Sequence, residues 1–168
     1  AIQDMVAMQL TEGGNGEMWM ASNTHGVVRI QGSGHSLNGY TLSAYSVVNG
    51  KLNSNYADCI YKDIEGRIWV GTGGSGLSLY DAVEDRFLPV HQLWNLPGDA
   101  VTSIQSDKKG DLWLGTNAGL LKLTVPKDLQ NVTYRLYTTS DGLQDNLFNR
   151  GASCEAPDGE LFFGGHRG

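Results

Sequence analysis

A short block recurs four times along this chain, and no other feature restricts its fold as tightly. Gly66-Arg67-Ile68-Trp69-Val70-Gly71-Thr72 reappears as Gly110-Asp111-Leu112-Trp113-Leu114-Gly115-Thr116. Looser copies are Gly16-Glu17-Met18-Trp19-Met20-Ala21-Ser22 and Gly159-Glu160-Leu161-Phe162-Phe163-Gly164-Gly165. The aromatic anchors Trp19, Trp69, Trp113 and Phe162 stand 50, 44 and 49 residues apart. Each copy is followed by a second glycine (Gly26, Gly76, Gly119, Gly168). Leu10, Ile60 and Ile104 each precede their blocks by six residues, and Asp63 and Asp107 stand three before the turn glycine. A further turn recurs as Asn49-Gly50-Lys51-Leu52 with Asn55, and as Asp141-Gly142-Leu143 with Asn146. Several matched features at one spacing mark a repeat architecture.

The third unit shows what one repeat forms. Val101 to Ser106 alternates apolar and polar residues, and Asp107 to Gly110 is a turn with glycine where a positive φ is needed. Leu112-Trp113-Leu114 is apolar on both faces, Leu120 to Thr124 makes a third strand, and Thr133 to Thr138 is rich in β-branched and aromatic residues. No stretch carries a helix period. A four-stranded antiparallel unit cannot bury both faces alone, but radially stacked neighbours bury them, which is the logic of a β-propeller blade. The spacing fits the roughly 40–50 residues of a blade. The expected fold is therefore all-β: about 3.5 four-stranded antiparallel blades, an open arc of a larger, seven-bladed ring. The units are expected at about 1–48, 49–95, 96–139 and an incomplete 140–168.

Composition agrees. Glycine makes up 23 of 168 residues, about twice the usual ~7 %, and suits a chain of turns. The apolar fraction is 40 %, enough for a core. The net charge of −6, with no basic patch, argues against nucleic acid as a partner. No apolar run approaches the ~18 residues of a membrane span, so no membrane contact is expected within the chain. Both ends read as cut. A cut arc leaves two blade faces bare, Leu112 and Leu161 among their residues, and self-association follows. Cys59 and Cys154 show no metal-ligand spacing and read as buried apolar thiols, with a disulfide as the alternative. No cofactor or metal is expected.

The repeated pattern resembles the two-component regulator propeller repeat: an aliphatic strand, Asp-x-x-Gly, aliphatic-Trp-aliphatic-Gly-Thr, a short gap and Gly-Leu. The unit around Trp113, Gly115 and Thr116 matches closely, and that around Trp69, Gly71 and Thr72 nearly as well. The first unit departs with Ala21-Ser22 and lacks the Asp, and the last places Phe162 at the Trp position. In this reading Trp19, Trp69, Trp113, Phe162 and the Gly-Thr pairs are scaffold. The stretch from Asp141 to Gly165 resembles the last blade before an immunoglobulin-like domain. The resemblance implies the periplasmic sensor region of a hybrid two-component histidine kinase, responding to oligosaccharides, with the kinase outside this chain.

Propeller geometry gathers the loops joining strand four to the next strand one, and those between strands two and three, on one face. Sugars are held there by aromatic rings and planar polar side chains. Candidate contacts are Trp94 and His91, Asn149-Arg150 at the start of an innermost strand, and His166-Arg167. Asn55 and Asn146 read as turn residues bonded to their own backbone. Two alternatives stand: a protein-interaction propeller, and a glycosidase or lyase drawing on carboxylates such as Asp58, Asp99 and Asp145. A glycosidase needs two carboxyls converging within roughly 5–10 Å, which sequence spacing does not establish.

Overall fold

A computed structural model describes residues 4–32 and 39–167. It contains three four-stranded antiparallel sheets and one two-stranded sheet, each running in chain order. The first holds β1 (Ala7–Glu12), β2 (Glu17–Ser22), β3 (Gly26–Gly32) and β4 (Tyr40–Tyr45); the second β5 (Ala57–Lys62), β6 (Ile68–Thr72), β7 (Gly76–Asp81) and β8 (Arg86–Leu88). The third holds β9 (Val101–Ser106), β10 (Leu112–Thr116), β11 (Leu120–Thr124) and β12 (Thr133–Tyr137), and the last pairs β13 (Phe148–Glu155) with β14 (Leu161–Gly165). The sheets form an open arc of blades. Innermost strands β1, β5, β9 and β13 run side by side around its axis. Among the described residues two short helical turns, α1 (Val90–Leu93) and a 3-10 turn at Thr139–Asp141, depart from the all-strand expectation. The last of the four second glycines, Gly168, lies outside the described residues.

The repeated residues each have a visible task. Gly16, Gly66, Gly110 and Gly159 close the same turn with φ of 78°, 81°, 85° and 86°, the left-handed region that glycine enters freely. Asp63 and Asp107 organise that turn in their blades. Asp63 Oδ1 accepts the backbone N–H of Glu65 and Arg67 at 3.0 and 2.9 Å, and its Oδ2 accepts the Trp69 indole N–H at 2.8 Å. Asp107 does the same for Lys109, Asp111 and the Trp113 indole, at 2.9, 3.1 and 3.0 Å. Burial alone would raise the Asp107 carboxyl, but these donors and Lys122 hold it below its ordinary value. Thr72 and Thr116 close the next turn, each hydroxyl donating to the carbonyl of the following glycine, Gly76 at 3.0 Å and Gly119 at 2.7 Å. Asn55 and Asn146 accept backbone N–H groups from Val47 and Thr139, both at 2.9 Å, and so tie down the preceding loop rather than their own backbone as expected.

Gly71 is required by the neighbouring blade. A Cβ there would lie 2.5 Å from Cys59 Sγ and 2.7 Å from the Val101 carbonyl. Side-chain alternation then divides each blade between two interfaces. Trp19, Ala21, Val27 and Tyr45 of the first blade pack on Ile60, Ile68, Val70 and Phe87 of the second. The opposite face of the second blade, with Cys59, Trp69, Leu77 and Leu79, packs on Ile104, Leu112, Leu114 and Leu121 of the third. Full burial of one such side chain stabilises by about 1.5–3 kcal/mol.

Three expectations need correction. Leu112 is not on a bare face; it is fully buried between the second and third blades. The Phe162 ring occupies the repeated aromatic position yet is 50 % exposed, because among the described residues its face of the last sheet has no neighbour. Cys154, on that same sheet, is exposed, whereas Cys59 is buried, and both are free thiols.

Candidate binding site

Every innermost strand is interrupted at the same place. Ala7 and Gln9 oppose Ser22 and Ala21, Ala57 and Cys59 oppose Thr72 and Gly71, and Val101 and Ser103 oppose Thr116 and Gly115. One extra residue is left over each time: Met8, Asp58 and Thr102. On β13 the irregularity is larger, with Phe148 opposite Gly165 and Ser153 opposite Phe163, so residues 149–152 bulge out opposite Gly164 alone. A β-bulge bends its strand and re-aims a side chain. Here the bulged residues fall where neighbouring inner strands meet.

Two of them join across the arc. Arg150 Nε donates to Asp58 Oδ2 at 2.8 Å, although 92 residues separate them. The Asp58 side chain is fully buried, while that of Arg150 is 56 % exposed. Burial pushes the Asp58 carboxyl above its ordinary value, and Arg150 opposes the shift. Gly73 leaves room for the pair: a Cβ there would lie 2.9 Å from Asp58 Oδ2 and 3.3 Å from Arg150 Nη2. Beside Arg150 opens a cleft of about 490 Å³ lined by Thr102, Phe148, Asn149, Arg150 and His166. Asn149 Nδ2 donates to the Gly165 carbonyl at 3.0 Å, which fixes its amide at the rim.

Three of the six candidate contacts, Asn149, Arg150 and His166, thus share one cleft. The others lie apart. Arg167 is exposed, with its Nε 3.8 Å from Asp145 Oδ2. His91 is buried in α1, its Nε2 paired with the Gly98 carbonyl and its ring seated over Gly76. Trp94 caps α1 and leans on Trp69, ring centroids 6.1 Å apart, at the edge of the core between the second and third blades. These two positions serve packing in this fold. The sequence reading missed Thr102 and Phe148, and weighed Asp58 only as a carboxylate near the loops. A signal existed: Met8, Asp58 and Thr102 each stand two residues before the repeated aliphatic anchors Leu10, Ile60 and Ile104.

Chemically, the cleft offers a guanidinium, an amide, a hydroxyl, an imidazole and an aromatic ring. The carboxylate paired with the cleft's Arg150, Asp58, is buried. Among the described residues no group of three or more His, Cys, Asp or Glu side chains comes together as a metal site would require. No helix there is long and apolar enough to cross a membrane.

Comparison with known proteins places the architecture. No curated protein matches the sequence. Among solved structures, the extracellular domain of a protein assigned as a hybrid two-component system of B. thetaiotaomicron superposes with a TM-score of 0.68 at 18 % identity. The alignment covers 98 % of this chain and 27 % of that one. A second such domain from the same organism gives 0.70 at 19 % identity, covering 94 % of this chain and 22 % of its own. Virginiamycin B lyase from Staphylococcus aureus gives 0.60 at 17 % identity, over 96 % of this chain and 49 % of the lyase. The chain thus spans about a quarter of the two-component domains it resembles, and at these identities the likeness is one of fold. The model of the two-component regulator propeller family matches residues 51–74 and 95–118. Each match runs from the loop before an innermost strand to the turn that Thr72 or Thr116 closes, so it spans both the bulge and the Asp–Trp clamp. Two of the four units thus match the two-component regulator propeller repeat.

Proposed function

We propose that the chain is part of the ligand-sensing propeller of a two-component histidine kinase, outside the cytoplasm in the periplasm. It recognises glycan-derived oligosaccharides and signals to a kinase beyond this chain. The observation that carries this reading is the cleft at the inner strands. It sets an aromatic ring, Phe148, beside the planar polar groups of Asn149 and Arg150, the combination that suits a sugar's apolar face and paired hydroxyls. The family of the repeats and the extracellular two-component domains that share the fold support it. The test is titration of the chain with a panel of oligosaccharide fragments, followed by analysis of the recovered glycan. A saturable one-to-one isotherm with unchanged glycan supports sensing. Cleaved glycan would favour a lyase or glycosidase, and binding only to a protein partner would favour an interaction propeller.

The open ends of the arc carry a second proposal: a second copy of the chain covers them. Each interface inside the arc sets the anchor-Trp face of one blade against the aliphatic face of the next. The two bare faces are the matching halves, with Leu10 and Leu42 on the first sheet and Phe162 on the last. Head-to-tail association of two arcs follows. Light scattering should show a dimer that dissociates on Leu42→Glu; a monomer at high concentration overturns this.

A further inference from the structure

We propose that Arg150 is the point at which this cleft holds a carboxylate, so that the ligand class is an oligosaccharide carrying a uronic acid. The inference rests on the sensing reading above and specifies its chemistry. It starts from the cost of Asp58. A carboxylate taken wholly out of water is destabilising unless it is paired and hydrogen-bonded. Asp58 has one partner among the described residues, Arg150, and its Oδ1 is buried with none. A surface arginine needs no such anchor for its own solvation. What the anchor achieves is position: the guanidinium is gripped through Nε alone, and the rotamer freedom of a long side chain is removed in advance. Preorganisation of this kind reduces the ordering cost of binding.

The grip also settles which atoms are presented. Among the described residues neither Nη1 nor Nη2 has a hydrogen-bond partner. Those two nitrogens form the planar fork that matches a carboxylate's two oxygens, a geometry lysine cannot supply. Around the fork, Phe148, Thr102 and Asn149 line the cleft; the Thr102 hydroxyl donates to the Gly115 carbonyl at 3.1 Å and the Asn149 amide to that of Gly165 at 3.0 Å, so their oxygens are left to accept from sugar hydroxyls. The chain's charge of −6 does not favour anions overall. Screening limits that field to roughly 8–10 Å at physiological salt, so selectivity comes from the local fork. Gly73 belongs to the same device, since any side chain there would push Asp58 and Arg150 apart.

The test is calorimetric titration of the chain with trimers of galacturonate, glucuronate and mannuronate, each beside its carboxyl-reduced counterpart. At least one uronate trimer should bind at least tenfold tighter than its reduced form. Arg150→Gln should abolish that preference and lower the thermal midpoint, because Asp58 loses its partner; Asp58→Asn with Arg150→Gln, which leaves no buried charge unpaired, should recover the midpoint and still lack the preference, and Arg150→Lys should restore it only in part. Equal affinity for charged and reduced trimers, or undiminished preference in Arg150→Gln, overturns the carboxylate assignment and leaves oligosaccharide sensing standing. If no sugar binds, charged or neutral, in this titration or in the wider panel, the sensing reading of the cleft fails and this inference with it.

Discussion

The clamp between the turn aspartate and the anchor tryptophan should behave as one energetic unit, and a double-mutant cycle measures it. In the second blade the Asp63 side chain is fully buried and Arg67 is 15 % exposed, their ion pair closing at 2.6 Å. Trp69 is fully buried as well. Asp63→Ala strips the acceptor from the indole N–H, from two backbone N–H groups and from Arg67. Breaking a buried pair on one side costs about 3–5 kcal/mol. Trp69→Phe leaves the carboxylate its other donors, but loses a hydrogen bond to a charged group, about 1.5–3 kcal/mol, plus some packing. In the double variant no indole N–H is left without a partner, so the two losses overlap by about 1.5–3 kcal/mol. The fourth unit already carries this combination: Ala156 and Phe162 stand where the second and third blades have Asp and Trp. In the third blade the Asp107 side chain is 22 % exposed, so water replaces part of the bond, and a coupling of about 0.5–1.5 kcal/mol is expected. Urea unfolding followed by far-UV circular dichroism, with unchanged m-values, reads all of these. A domain stability of about 5–15 kcal/mol leaves room for each variant. Additive losses within about 0.5 kcal/mol at Asp63 and Trp69, or a larger coupling in the third blade than in the second, would refute the reasoning.

Gly71→Ala should lower stability by about 1–3 kcal/mol, because the Val101 carbonyl cannot yield to a Cβ as a flexible side chain could. Gly14→Ala, where a Cβ meets nothing within 4 Å, should stay within about 0.5 kcal/mol in the same thermal melt. The Asp85 carboxylate is lowered to about 2 by hydrogen bonds from Lys51 and then Tyr45, against some burial, with Tyr80 adding to the effect. A folded-state value below the unfolded ~3.9 gives stability that is present above about pH 4 and lost as pH falls through about 2. The gap in urea midpoint between wild type and Asp85→Asn should therefore be open at pH 7 and close between pH 4 and 2; a gap that persists at pH 2 removes the ionic explanation. Cys154 should react with a thiol reagent in the native protein, and Cys59 only after unfolding, since it is buried and its thiol is pushed up by burial and by Asp58. Native protein titrating no thiol would contradict the free pair.

The repeat made the scaffold legible because each matched residue answers a local demand. The turn glycine needs its φ, the aspartate needs its backbone donors, and Gly71 must let Val101 approach. The turn glycine recurs in all four units and the full set in the second and third, and the strands of the third sheet begin where alternation and turn chemistry place them. The site was less legible for the opposite reason. Arg150 and Asp58 meet across 92 residues and two blade steps, a distance that only the curvature of the arc makes short. Asn149, Arg150 and His166 could be suspected from their place on the loop face. Phe148 and Thr102 could not be told from ordinary strand residues. His91 and Trp94 looked available because their segment reads as a loop. The turn of α1 folds them inward, where His91 fills the space over Gly76 and Trp94 leans on Trp69.

A stacked blade has few side chains to spare. Alternation with a period of two sends every residue of a regular inner strand to one neighbouring blade or the other, and both interfaces are packed. An extra residue inserted by a bulge belongs to neither face. It can therefore change without repacking the arc, and the bulged residues do differ, as Met8, Asp58 and Thr102, while the residues before them, Ala7, Ala57 and Val101, and the anchors two residues after them, Leu10, Ile60 and Ile104, stay aliphatic. The fourth unit extends the same irregularity to residues 149–152, and the longer excursion carries Arg150 to Asp58. On the proposed reading recognition is confined to positions that the scaffold repeat leaves free, while the positions that repeat are those that packing has already taken. On that reading a change of ligand needs substitutions at the bulges and at the neighbouring cleft residues Phe148 and His166, and the clamps, turn glycines and blade interfaces are left as they stand.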